Sequence, residues 1–166
     1  MTQYFCVKAS RALDELDYHL LDLVQADARR PLHELGDEVG LSPSAVQRRL
    51  NRLRSEGVIR SEVAVLDPQA VGAGLLAVVL VALFDDDPEK HAAFRELMRA
   101  EPAVQQCYTI VGQWDYVVVL VTGDIAENRE VSARLFVDRG TVRRYDTLPA
   151  FEVVKAGLAL PLARSR

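Results

Sequence analysis

The chain has 166 residues, which is enough for one ordinary domain or two small ones. Hydrophobic residues make up 49% and charged residues 27%, proportions that are typical of a globular protein and exclude a disordered one. The net charge is −4, so the chain as a whole lacks a basic footprint for nucleic acid. Any contact with DNA must therefore depend on a local basic patch.

The apolar runs and the cysteines predict the cellular compartment of the protein. The amino terminus lacks a signal-peptide core, and the longest apolar run, residues 71–84, is too short to span a membrane and predicts a buried strand. Cys6 and Cys107 are expected to be free thiols in a reducing cytoplasm. The three histidines lie far apart in the sequence, so no metal site is predicted.

Residues 13–60 have the apolar periodicity of three short helices. Leucines and a valine recur three or four residues apart in the first of them, which breaks at residues 28–30. A second helix over residues 31–39 starts with Pro31 at its first position and ends at Gly40 in a left-handed conformation. The third helix has Ser42 as its N-cap and Pro43 at its first position, and it ends at Gly57.

The second half of the chain predicts four strands and two helices in the order β-α-β-β-α-β, which is that of a ferredoxin-like domain. Gly112 and Gln113 separate the two middle strands and indicate a hairpin. Pro149 is expected to bend the last strand or to place it at an edge. Residues 58–71 join the halves as a short hairpin or wing followed by a linker strand. The predicted strands cover residues 75–84, 104–111, 114–122 and 142–154, and the predicted helices cover residues 88–101 and 125–137.

The three short helices form a helix-turn-helix pattern, in which the third helix packs by one face and presents hydrogen-bond donors by the other. Val46, Leu50 and Leu53 have the spacing of the packing face. Arginine suits guanine, whereas glutamine and asparagine suit adenine. Arg49 flanks the packing face and is expected to brace an acid such as Glu38. The side chains predicted to contact DNA are Ser42, Ser44, Gln47, Arg48, Asn51 and Arg52.

Charge is strongly polarised along this first half. Residues 47–60 contain five arginines and one acid, whereas residues 14–38 contain eight acids and two arginines. A helix that docks on a duplex needs this positive pole, because phosphate contacts dominate affinity. An arginine-rich helix is alternatively a solvated face, but its place after a glycine turn and a Ser-Pro start favours DNA binding.

The chain resembles the Lrp/AsnC family, the feast/famine regulators, over about residues 13–155. The likeness rests on LSPSAVQRRL at residues 41–50, on EGVI at residues 56–59, and on VGQWDY at residues 111–116, which resembles the family's glycine-x-x-aspartate loop. The resemblance implies a winged helix-turn-helix, a linker strand and a ferredoxin-like domain that dimerises through its sheet. It also implies octamers or other rings of dimers, and amino-acid ligands bound between subunits near the glycine-containing loop.

The predicted ligand-binding residues are Gly112, Gln113, Trp114 and Asp115. Gly112 permits a sharp turn or the close approach of a ligand to the backbone. Asp115, beside an aromatic side chain, is placed to hold an amino group. In the alternative interpretation Trp114 is a packing anchor and Asp115 caps the turn. Even then the backbone groups of Gly112 and Gln113 are able to bind a carboxylate or an ammonium group.

The sequence therefore predicts an α+β protein that is a sequence-specific DNA-binding transcriptional regulator, responsive to a small molecule of the amino-acid class. Residues 1–60 form the DNA-binding domain with an extension over residues 1–12, residues 61–74 a linker strand, and residues 75–166 the ligand-binding and oligomerisation domain. No catalytic set and no cofactor are expected, and the partners are near-palindromic DNA and further copies of the chain. The alternative is an amino-acid-binding regulatory subunit of a metabolic enzyme.

Overall fold

The structure, a computed structural model, describes residues 13–162, so the predicted extension with Cys6 lies outside the described residues. The chain divides into two compact units, Val65–Lys155 and the remainder, so the segment from Ala156 belongs with the helices of the first unit. Gln25 explains this assignment, since its side chain exchanges two hydrogen bonds with the backbone of Leu160. The predicted second domain, residues 75–166, differs from this division at both of its ends.

The described part of the first unit contains three helices, α1 (Glu15–Ala26), α2 (Leu32–Val39) and α3 (Pro43–Ser55). The side chain of Ser42 accepts a hydrogen bond from the backbone of Ala45, which confirms the predicted N-cap of α3. Pro31 lies at the N-cap of α2, one position earlier than predicted. None of the helices in residues 13–162 is long and apolar enough to cross a lipid bilayer.

The turn between α2 and α3 depends on two glycines. Gly40 has the predicted left-handed conformation, with φ of 68°. The backbone N–H of Leu41 donates to the carbonyl of Gly36 at 2.9 Å. A Cβ atom on Gly36 would lie 2.4 Å from the carbonyl oxygen of Leu41, closer than atoms can approach. Only glycine at position 36 therefore permits the backbone of Leu41, which leads into α3, to pack this closely on α2.

The segment that follows α3 has neither the predicted wing nor the predicted linker strand. Residues 60–74 are all described and contain no strand. Extended backbone forms a strand only when it pairs with a neighbour, and no described segment pairs with this one. The N–H of Ala73 instead donates to the carbonyl of Pro68 and closes a turn. Val65 and Leu66 are exposed.

The second unit confirms the order β-α-β-β-α-β. The elements are β1 (Leu75–Leu83), α4 (Pro88–Ala100), β2 (Val104–Thr109), β3 (Tyr116–Thr122), α5 (Ile125–Ser132) and β4 (Val142–Pro149). All pairings are antiparallel, and the sheet order is β2-β3-β1-β4. Helix α5 continues as a π-helical segment over Ala133–Val137, so the predicted helix is irregular in its second half.

The two faces of the sheet differ in what covers them. Alternate residues of a strand point to opposite faces. On one face Val79 and Val118 are fully buried in a core with Phe94 of α4 and Leu135 of the π-helical segment. The side chains of the other face are only partly buried in this chain. We call this second set the open sheet face; in β1 and β3 it consists of Leu76, Val78, Leu80, Val117, Val119 and Val121.

The last strand is shorter than predicted. It ends at Pro149, on an edge strand of the sheet, and one further hydrogen bond, from the N–H of Ala150 to the carbonyl of Leu76, follows it. Phe151 is fully exposed, and residues 150–155 form no strand. The predicted continuation to residue 154 is therefore wrong for this chain.

Candidate DNA-binding and ligand-binding sites

Helix α3, which we call the reading helix, has the two faces that its spacing predicts. Val46, Leu50 and Leu53 are buried and pack against α1 and α2. Most of the predicted DNA-contacting side chains lie exposed on the other side of the helix or at its start. These exposed residues are Ser42, Ser44, Gln47, Arg48 and Asn51. The reading helix therefore offers a continuous polar surface on a packed support.

Arg52 differs from the other predicted DNA-contacting residues. Its guanidinium forms an ion pair with Asp17 of α1, whose side chain is fully buried. Arg49 Nη1 lies 2.8 Å from Asp17 Oδ1 and 2.7 Å from Asp14 Oδ2. Glu38, the acid expected to hold Arg49, is instead paired with Arg30. Two arginines of the reading helix thus fasten it to α1.

The ionisation of Asp17 follows from these contacts. Burial alone acts to raise the pKa of a carboxyl group, because it removes water from the charged form. Hydrogen bonds from Arg52, from the N-terminal backbone of α1 at Asp14 and from Arg49 outweigh burial, and the pKa of Asp17 is lowered from its usual value. The Asp17 side chain is therefore a carboxylate at neutral pH, held between two cations.

Arg54 has a role that the sequence analysis did not assign. Its guanidinium contacts Glu62 at 2.6 Å and donates a hydrogen bond to Asn51 Oδ1 at 3.3 Å. The amide of Asn51 is thereby oriented with its NH₂ group free to donate away from Arg54. The number of arginines in residues 47–60 indicated a basic segment, but residue spacing does not predict that Arg54 pairs with Glu62 and Asn51.

The loop between β2 and β3 is held by Asp115. The backbone N–H of Asp115 donates to the carbonyl of Val81 at 2.9 Å, and its Oδ2 accepts a hydrogen bond from the N–H of Leu83 at 2.7 Å. Gly112 has φ of +148°, a conformation that side-chain-bearing residues rarely adopt. Asp115 is thus engaged in fixing the loop to β1, as in the capping interpretation.

Trp114 is also engaged within the unit. Its side chain is buried, and the guanidinium carbon of Arg144 lies 4.0 Å from the centre of its ring. This stacking is a cation–π contact of the kind that anchors an aromatic side chain. Gly112 and Gln113 are exposed. Of the four residues predicted to bind a ligand, Gly112 and Gln113 are therefore the two that are exposed.

Both halves of the chain match models of known families. Residues 13–54 match the AsnC-type helix-turn-helix domain, and residues 76–160 match the Lrp/AsnC ligand binding domain. The chain belongs to the Lrp/AsnC family. It is a DNA-binding transcriptional regulator whose second unit is of the family's ligand-binding type.

Individual members of the family are similar along almost the whole chain. The glutamate uptake regulatory protein of Zymomonas mobilis is 32% identical over 152 residues, which are 92% of each chain. The crystal structure of an AsnC family transcriptional regulator from Agrobacterium tumefaciens superposes with a TM-score of 0.84 at 30% identity, covering 90% of this chain and 97% of that one. The L-Met complex of the Neisseria meningitidis regulator NMB0573 gives a TM-score of 0.81 at 28% identity and the same coverage.

Proposed function

We propose that this regulator binds a near-palindromic DNA site as a homodimer and changes this binding in response to an amino acid. The observation that carries the proposal is the exposed face of the reading helix. Gln47, Arg48 and Asn51 supply the side-chain types that pair with base edges in the major groove. A two-fold dimer places two such helices in successive major grooves, about 34–36 Å apart.

The open sheet face supports dimerisation. Its centre consists of valines and leucines of β1 and β3, and Tyr108 and Leu148 extend it onto β2 and β4 with about half of each side chain exposed. A large apolar surface of this kind is costly to leave in water. Two copies related by a two-fold axis would bury it against itself. Further association of dimers, up to an octamer, would use other surfaces.

The effector that we propose is an amino acid held by the backbone of Gly112 and Gln113. Both residues are exposed, and Gly112 has no side chain to obstruct a ligand. Support also comes from the related proteins, one of which is named for glutamate uptake and another of which is an L-Met complex. Such an effector acts only if it binds two states of the protein with different affinity. Neither a catalytic step nor a cofactor is part of this function, which is exercised on DNA in the cytoplasm.

The test is selection of bound sequences from a random DNA pool at moderate salt, with and without a mixture of the twenty amino acids. An enriched near-palindrome whose affinity or spacing shifts with one amino acid supports the whole proposal. If a site is enriched but no amino acid changes its binding, the result supports DNA binding and contradicts an amino-acid effector. No enrichment contradicts the proposal and favours a regulatory subunit that binds an enzyme instead.

A further inference from the structure

The second unit contains a cleft away from the loop that carries Gly112. The cleft lies between α4 and β2, the outer strand of the sheet, and has a volume of about 270 Å³. Arg95 and Arg99 of α4 line one side, and Cys107 and Thr109 of β2 line the other. None of residues 112–115 lines this cleft.

Positive charge dominates the lining of the cleft. Arg95 and Arg99 are four residues apart and so lie on one side of α4, and no acid is among the lining residues. Arg99 is paired with Glu96, whereas Arg95 has no carboxylate within 4.0 Å in residues 13–162. Its one hydrogen-bonding contact in that part of the chain is with the hydroxyl of Tyr116, at 3.5 Å. The guanidinium of Arg95, whose other N–H groups have no acceptor in residues 13–162, therefore borders the cleft.

The hydroxyl of Tyr116 supplies a second polar group. Its ring is fully buried against Phe94, and its oxygen lies 2.7 Å from Nδ1 of His91, so the side chain is fixed in place. Burial raises the pKa of Tyr116, which keeps the hydroxyl neutral at physiological pH. Thr109 is the direct cross-strand partner of Tyr116 and adds a further hydroxyl at the same side of the sheet. The polar groups are thus held on rigid elements.

The size and the charge of the cleft restrict what it can hold. Its volume of about 270 Å³ lies near the roughly 300 Å³ lower end of small-molecule sites, which suits a small metabolite. Met98 and Val104 provide an apolar part for a short hydrocarbon chain. A carboxylate suits Arg95, because guanidinium pairs with carboxylate in a fork geometry. An ammonium group, by contrast, would lie beside Arg95, which has no carboxylate partner in residues 13–162, and the lining itself contains no acid.

We propose that this cleft is a binding site for a small organic monocarboxylate without an ammonium group, such as a 2-oxo acid, with its carboxylate on Arg95. The site shares no residue with the loop to which the amino acid effector is assigned. It therefore adds a second input to the regulator, and it stands whether or not the loop binds an amino acid. The cleft would distinguish a 2-oxo acid from the corresponding amino acid by the ammonium group alone.

The probes are 4-methyl-2-oxopentanoate and L-leucine, which share a carbon skeleton and differ at the second carbon. Cys107 lies in the cleft and reports its occupancy, and a Cys6→Ser variant of the full chain leaves it as the only cysteine. We expect saturable binding of the 2-oxo acid by calorimetry and a concentration-dependent slowing of Cys107 alkylation. L-leucine is expected to protect Cys107 at least about tenfold less effectively, because burying an unpaired ammonium group is costly.

Matched arginine variants locate the carboxylate. Arg95→Gln is expected to weaken binding of the 2-oxo acid about tenfold or more, because it removes a charge-assisted pair. Arg129→Gln, on the exposed side of α5, is the control and should leave binding unchanged. Thermal melts verify that each variant is folded, and Arg95→Met replaces Arg95→Gln if the latter does not fold.

Three results would overturn the inference. They are the absence of saturable binding of the 2-oxo acid, equal protection of Cys107 by L-leucine, and equal loss of binding in the Arg95 and Arg129 variants. None of these results affects the DNA selection or its response to amino acids. A response of the selected DNA site to L-leucine, together with no protection of Cys107 by the 2-oxo acid, would retain the proposed function and contradict only the cleft.

Discussion

Nη1 of Arg49 lies 2.8 Å from Oδ1 of the fully buried Asp17, and the other carboxylate oxygen of Asp17 is paired with Arg52. One carboxylate of α1 therefore binds two successive turns of the reading helix. The arginines are about three-quarters buried, and their charge is neutralised at the side of the helix that faces the protein. Asp17 thus holds the side of the reading helix that carries Arg49 and Arg52 against α1.

Replacing Asp17 with asparagine should destabilise the first unit. The substitution preserves the shape of the side chain but leaves two arginines without their buried partner. Breaking a buried pair in this way costs about 2–3 kcal/mol for partners that keep some access to water. Urea denaturation measures the loss, and Glu15→Gln, which changes an exposed acid in the same helix, should have almost no effect. Equal stabilities for the two variants would show that the cluster does not hold the helices together.

The same carboxylate should make stability depend on pH in the acid range. The pKa of Asp17 is about 3.8 in the unfolded chain and lower in the folded one, so unfolding takes up a proton at low pH. Its contribution is fully present above pH 3.8 and is lost as the pH falls through the lower, folded pKa. Thermal melts between pH 2 and pH 7 should show a steeper acid loss for the wild-type chain than for Asp17→Asn. If the stability of the two chains falls with pH in parallel, Asp17 does not cause the pH dependence.

Arg48 and Arg52 should have separable effects, although both carry the same charge on the same helix. Arg48 is exposed, so Arg48→Ala should leave stability unchanged, weaken DNA binding by about 1–3 kcal/mol and relax one base preference. Arg52→Ala should lower stability first, because Arg52 is paired with Asp17. Arg29→Ala, in the exposed turn after α1, is the control for charge. If Arg52→Ala is stable and changes the base preference, Arg52 contacts DNA and does not serve mainly to hold the helices together.

Asp115 should prove to be a structural residue of the loop. Its carboxylate accepts a hydrogen bond from the backbone of Leu83, so Asp115→Ala should destabilise the second unit by about 1–3 kcal/mol. Asp86→Ala, an exposed acid elsewhere in the same unit, serves as the comparison. Denaturation and calorimetry with the responsive amino acid should be measured on the same samples. Unchanged stability together with lost affinity would assign the carboxylate to the ligand.

Local signals in the sequence were sufficient for the helices and the strand order. Gly40 and Ser42 define their turn by backbone preferences that act within a few residues, and the structure confirms both. Arg52 shows where such reasoning fails, because helical spacing places it beside Arg48 but does not reveal the carboxylate of Asp17, 35 residues earlier. The cleft beside Arg95 likewise depends on how α4 packs over β2, which no sequence pattern specifies.

The open sheet face should be the dimer interface, and Val119 lies near its centre, paired with Val78 on β1 and with Gln106 on β2. Val119→Glu would put an unpaired charge into an apolar contact and should weaken association about a hundredfold or more. Val119 is partly exposed in the single chain, so the variant should still fold. Light scattering after size exclusion measures the mass, and Ile125→Glu, an apolar-to-acid change at an exposed position of α5, should remain dimeric. Monomers of the Val119 variant should also bind DNA more weakly, since each contributes a single reading helix, whereas an unchanged dimer would place the interface on another surface.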